Sequence, residues 1–258
     1  MMKNMNKYGI KDEPHEQIIP QYNNWGIAGS LDIQKIGDEV GNKYVELLNL
    51  IDNSIVLSEY AVSAVNRISY FQGEDIPALI AIWVRLKLKD NHDQLNGPHI
   101  SLIYEESSEC LLAYTRFNNS NNSDLSTHQI ALDSSIHFLK QLAPDLIKSD
   151  TPIPQLNAID TGERMVFKPE LPIDNVELQW IGVHDETFDS HGEFVIVSGL
   201  KVKMYIPNTG LWAWVIVDTT GRIITFERNI CWDFTKMQRQ TQMWLHDKWL
   251  IANNINPF

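Results

Sequence analysis

Basic residues, cysteine and long apolar runs are scarce in this 258-residue sequence, and each scarcity removes a class of function. Lys and Arg number 21 against 33 Asp and Glu, a formal net charge of −12. Sequence-independent affinity for nucleic acid comes from cations on phosphate, so so acidic a chain is not built to hold phosphate backbones. No stretch reaches the roughly 18–20 consecutive apolar residues that a membrane helix needs. The two cysteines, Cys110 and Cys231, are far apart and lack the close spacing of a zinc or redox pair. The 13 glycines form neither a GxGxxG nor a GxxxxGK[ST] phosphate loop. No GxSxG or HExxH pattern occurs either. Behind the first residues, MMKNMNKYGIKDEPHEQ, there is no apolar segment of a secretory signal. The expected compartment is therefore the cytoplasm, with both thiols reduced.

What is present is an ordinary globular composition, 43% hydrophobic and 21% charged, which argues against disorder. The charge is uneven. Residues 1–144 sum to −7, residues 145–193 to −8 and residues 194–258 to +3. A segment that dense in carboxylate is either a solvated face or a surface that speeds association with a basic partner.

Periodicity divides the chain into an N-terminal α+β half (1–148), a Pro-containing linker (149–163) and a C-terminal β-meander with a Trp-rich helix (164–258). The first 25 residues read as a polar arm. Ile33, Ile36, Val40, Tyr44, Leu47 and Ile51 recur at helical spacing, and Leu57, Ala61, Ala64, Val65, Ile68 and Phe71 suggest a second helix. Alternation over 79–89 predicts a half-buried strand. Residues 100–104 and 110–117 give two more, and a helix stops before Pro144. Strands follow at 165–168, 176–183, 193–206, 211–218 and 222–228. Asp233 to Ile251 reads as a final helix capped by Asp233, with Trp244 and Trp249 packing over Trp212 and Trp214. The fold class is α+β, mostly antiparallel sheet flanked by helices. Tyr114 and Arg116 match Phe226 and Arg228 at an offset of 112, so two similar halves stand as one reading beside the chance likeness of amphipathic hairpins.

Three local features carry chemistry. His184, Asp185, Glu186, Asp189 and His191 gather five polar ligands in eight residues, beside Trp180. Two imidazoles and a carboxylate suit a divalent metal. The same residues also read as an acidic loop between strands, offering Asp185, Glu186, Asp189 and Glu193 to a basic protein, and this reading is preferred. Six of the eight tryptophans follow residue 179; they are core, or in part interface anchors. Cys231 before a helix start is a candidate nucleophile, set against an inert structural thiol. His246-Asp247 is rejected as a catalytic dyad, because neighbours on a helix diverge by about 100°.

The ending GLWAWVIVDTTGRIITFERNICWDF…TQMWLHDKWL resembles the immunity proteins of bacterial polymorphic toxins, including effectors of type VI and contact-dependent secretion. The likeness covers about the last 65 residues and lies in a meander, a Trp-rich end and an acidic pI rather than in a motif. It implies a cytoplasmic, non-enzymatic protein that neutralises a cognate toxin or effector domain by stoichiometric binding, without metal or cofactor. The expected contact residues are Asp185, Glu186, Asp189, Glu193 and Trp180. The rivals are a metal-dependent hydrolase on 184–191 with His99, His128 or His137, and a non-enzymatic adaptor subunit. Oligomeric state is not readable.

Overall fold

The structure, a computed structural model, describes residues 27–30, 38–71, 76–89, 97–108, 110–117, 127–156, 164–190 and 193–255. The expected N-terminal arm, the first turns of the first helix, part of the linker and His191 lie outside them. The elements in chain order are β1 (Ile27–Ser30), α1 (Asp38–Ile51), β2 (Tyr60–Tyr70), β3 (Leu79–Leu88), β4 (His99–Glu105), β5 (Leu111–Phe117) and α2 (His128–Leu142). They continue with β6 (Met165–Ile173), β7 (Val176–Ser190), β8 (Glu193–Ile206), β9 (Leu211–Val217), β10 (Ile223–Ile230), β11 (Trp232–Asp233), β12 (Gln238–Arg239) and α3 (Asp247–Ala252).

Ten strands form one antiparallel sheet in the order β1-β2-β3-β4-β5-β10-β9-β8-β7-β6. Two five-stranded meanders are thus fused where β5 pairs with β10, and the sheet passes the 149–163 boundary unbroken. The fold is strand-dominated α+β, with three α-helices and a single 3-10 turn (Leu57–Glu59) among the described residues. At the seam Thr225 faces Thr115 and Phe226 faces Tyr114, and the two threonine hydroxyls lie 3.0 Å apart. Tyr114 and Phe226, matched in sequence, are therefore cross-strand partners.

One face of the sheet is covered by α1 and α2. Tyr44, Leu47 and Leu48 of α1, and Leu132, Ile136 and Leu139 of α2, join Val65, Ile82, Leu102, Val202 and Val215 in the main core. Thr127 caps α2, its hydroxyl accepting from the Ile130 amide at 3.2 Å. Arg116 on β5 pairs with Asp52 just after α1. Arg228 on β10 grips Asp145 just after α2 in a two-pronged contact of 2.8 and 2.5 Å. Each meander thereby ties its last strand to the end of a helix.

The opposite face is covered in the first meander by α3 and the segment before it. Trp83, Ile103 and Ala113 pack there against Trp244, Leu245 and Trp249. The Trp83 and Trp244 rings are 5.5 Å apart. The C-terminal tryptophans thus lie over β3, not over Trp212 and Trp214 as the sequence led one to expect. Arg85 beneath α3 is fully buried and pairs with the equally buried Asp247, while its other nitrogen donates to Ser101 Oγ at 3.2 Å.

Of two helices expected from spacing, one is strand and the other is much shortened. Residues 60–70 are strand β2, whose register slips between Val62 and Ala64. A bulge adds one residue to a two-residue period and so imitates helical spacing. Beyond it, Ala64, Ile68 and Tyr70 face one side and Val65 the other. The helix expected over 233–251 survives only as α3. Arg239 explains the loss: its guanidinium holds Glu227 at 2.8 and 3.1 Å and takes the Thr241 and Gln242 carbonyls at 3.1 and 2.6 Å. Those carbonyls serve a side chain instead of a helical ladder. Asp233 caps the tight turn of β11–β12 by accepting from the Thr235 and Lys236 amides, and Met237 adopts φ 53°.

Removing one member of a fully buried ion pair strands the other, at a cost of about 3–5 kcal/mol. Asp247→Ala should therefore lower unfolding free energy by about that amount in urea titration, and the double change Arg85→Met, Asp247→Leu should recover most of it. A loss below about 1 kcal/mol for the single change contradicts this. His99 is buried with Nδ1 donating to the Gly97 carbonyl at 2.8 Å. Burial, then the Arg85 charge, holds its imidazole well below the ordinary 6.5. Below pH about 6.5 the unfolded chain gains a proton that the folded chain refuses, so stability falls with pH by up to about 1.4 kcal/mol per unit. The slope should flatten in His99→Gln; an identical slope in both proteins contradicts the assignment.

Candidate functional site: an acidic strand arm

β7 and β8 are longer than the strands beside them. β6 pairs with β7 only as far as Ile181, and β9 joins β8 only from Leu200. Outside those limits, among the described residues, β7 and β8 pair only with each other, from His184 opposite Gly199 to Ser190 opposite Glu193. This two-stranded arm is roughly 20 Å long at the rise of an antiparallel strand. It carries every carboxylate singled out in the sequence, Asp185, Glu186, Asp189 and Glu193.

These residues form strand, not the loop expected between strands. The reason lies across the ladder, where Phe194, Val195, Ile196 and Val197 supply aromatic and β-branched positions that favour a pleated partner. Alternation divides the group. Ile181 and Val183 belong to the main core, so positions 185 and 189 fall on that side of the ladder. Positions 186 and 193 fall on the other side, with Trp180. The arrangement brings the four acids onto one arm but not onto one face.

Two glycines mark the arm's base. A Cβ on Gly199 would sit 2.7 Å from Ile216 Cγ2 and 2.8 Å from the Val217 carbonyl. One on Gly182 would meet Arg164 Cγ at 3.0 Å. Beside them lies an alternation of rings and cations across β7, β8 and β9. Arg164 stacks 4.2 Å over Trp180, Lys201 4.1 Å from Trp214 and Lys203 4.6 Å from Trp212. Trp212 and Trp214 share a face as expected, and Phe234 stands 6.1 Å beyond Trp212, 63% exposed. Cation–π contact of this kind fixes Trp180 at the foot of the arm.

No known family model, curated protein or solved structure matches this chain. Its own geometry carries the reading.

The other candidates are dispersed. His99 lies under α3, whereas His128 and His137 stand on α2 across the sheet, with His137 Nδ1 donating to the Asp133 carbonyl at 2.8 Å. Cys231 precedes a hairpin rather than a helix, and its thiol lies 3.2 Å from Gln240 Oε1. Both cysteines are free thiols. Among the described residues no three His, Cys, Asp or Glu side chains are grouped to hold a metal ion, and no helix is long and apolar enough to cross a membrane. Sequence reasoning missed Gly182, Gly199 and the Arg164–Lys201–Lys203 cations. Glycine inside a strand pattern was the available signal, since it marks close approach of a neighbour.

Gly199→Val should force β8 away from Ile216 and Val217 and cost about 1–3 kcal/mol. The expected result is a lower Tm with faster amide exchange at 198–201. An unchanged Tm contradicts the tight approach at the arm's base.

Proposed function

We propose that this chain is a non-enzymatic inhibitory binding protein of the immunity type, which neutralises a cognate toxin or effector domain in the cytoplasm by stoichiometric contact. The observation that carries the reading is the arm: four carboxylates held on paired strands that leave the sheet, with a ring fixed at the foot. Asp185, Glu186 and Asp189 occupy both sides of β7, and Glu193 stands at the tip. A partner with basic residues lining a cleft, as in a domain that handles anionic substrates, is the chemical complement. Trp180 supplies apolar anchorage at the base, under Arg164. No metal, cofactor or nucleic acid enters this reading.

The two meanders are, in this account, repeats of one unit. Support comes from Tyr114 opposite Phe226 at the seam and from the paired contacts Arg116–Asp52 and Arg228–Asp145. Only the second unit carries the long hairpin, so the binding arm is an elaboration of one copy.

The test uses the toxin domain that this reading expects to be encoded beside the chain's gene. Close interfacial charge pairs couple by about 1.5–7 kcal/mol, so Asp185→Lys, Glu186→Lys and Asp189→Lys together should weaken binding by about a hundredfold or more in calorimetry. Association should also slow as salt rises. Affinity equal to that of the unaltered chain overturns the assignment.

A further inference from the structure

The foot of the arm carries a second surface, opposite in charge to the arm. On the face of β7 and β8 turned away from α1 and α2, three cations lie within 6.0 Å of the Trp180 ring: Arg164 at 4.2 Å, Lys203 at 5.7 Å and Lys201 at 6.0 Å. Lys201 is buried, Lys203 half-buried and Arg164 exposed. The carboxylates on the β9 side of this group are committed elsewhere. Glu227 holds Arg239 at 2.8 and 3.1 Å, and Asp233 accepts from the Thr235 and Lys236 amides of its own turn. Among the described residues no carboxylate pairs with Arg164.

Past Lys203 the surface turns apolar. Tyr205 stands 5.0 Å from Trp212, and Phe234 6.1 Å from the same ring. Phe234 and Met237, at the tip of the β11–β12 hairpin, are 63% and 60% exposed. The tip is held in shape by the Asp233 cap, with Met237 at φ 53°, a region that long side chains seldom adopt. Two large apolar side chains kept in water beside a cationic rim are the anatomy of a protein contact.

Charge and spacing select the occupant. An extended segment laid along β8 repeats its same-side chains at the interval of the strand beneath, about 7 Å for two residues. Carboxylates at i and i+2 then meet the cations around Trp180 and Lys203, and an apolar group at i+4 reaches Tyr205 and Phe234. A single-stranded nucleic acid fits less well, because its bases stack on open ring faces. Here Arg164, Lys201 and Lys203 already lie over Trp180, Trp214 and Trp212. The net charge of −12 does not forbid an acidic guest, since charges more than about 8 Å away are largely screened at physiological salt.

We infer that the 201–205 face of β8, between Arg164–Trp180 and the Phe234–Met237 tip, docks an extended acidic segment of a partner protein, with carboxylates two residues apart and a large apolar residue two further on. This surface does not depend on the toxin-binding reading, which asks for basic residues in the partner.

The experiment titrates the full chain into a fluorescent synthetic peptide bearing the pattern Glu-Ser-Glu-Ser-Leu and follows anisotropy at physiological salt. Saturable binding in the micromolar range is expected, with the Gln-Ser-Gln-Ser-Leu peptide weaker by about tenfold or more. Arg164→Glu and Phe234→Ser should each weaken the acidic peptide by about tenfold. The contrast between the two peptides uses the unaltered chain, so it stands whatever the variants do to folding. Absence of saturation, equal affinity for the glutamine peptide, or unchanged affinity in either variant overturns the inference. Tighter binding of a labelled single-stranded oligothymidine overturns it too, and gives the face to nucleic acid.

Discussion

The pairing of β5 with β10 is the constraint on which the rest of the molecule depends. Neither meander closes its own sheet; each ends on a strand whose free side is apolar or hydroxylated, and the two seam strands satisfy one another through Thr115, Thr225, Tyr114 and Phe226. The fusion creates one broad surface on which α1 and α2 lie together, with Phe138 of α2 packing edge-on against Phe226 at 5.1 Å. It also fixes which strands become outer ones. β7 is next to last, so any length it has beyond β6 and β9 must leave the sheet.

From that platform the arm follows as a matter of strand length and glycine. β9 ends its pairing at Leu200, Gly199 lets Ile216 and the Val217 carbonyl come within reach of β8, and from there the hairpin continues with no other strand beside it among the described residues. The cations of the same region are held against tryptophan rings at the base, while the acidic positions 185, 186, 189 and 193 lie farther along the strands. The positive sum of the last quarter and the negative sum of the middle segment thus meet along one hairpin. Its distal part is acidic and uncharged by turns, edge by edge.

Much of the sheet was legible in the sequence, because alternation over 79–89, 193–206 and 211–218 is the direct signature of a pleated strand. The misread stretches share a cause: a side-chain or register event that local periodicity does not report. In β2 a bulge between Val62 and Ala64 rewrote the period. Before α3 the buried Arg239 took two carbonyls and Glu227, so a stripe with helical spacing stayed extended. The sequence identified the acidic group of the candidate site, but not its mounting. Whether a strand pairs with two neighbours or stands clear of them depends on the lengths of β6 and β9, which are distant in the chain. The Tyr114–Phe226 likeness was visible as an offset; only the seam register shows that the two residues meet.

The central claim is that the β7 side of the arm is the surface a toxin domain covers. Amide exchange of the chain alone and with the toxin domain proposed as its partner, resolved along the sequence, tests it most directly. The account predicts slowed exchange at 184–190 and around Trp180 on complex formation, with the α1–α2 face unchanged. Protection confined to α1 and α2, with the arm exchanging as before, would contradict it.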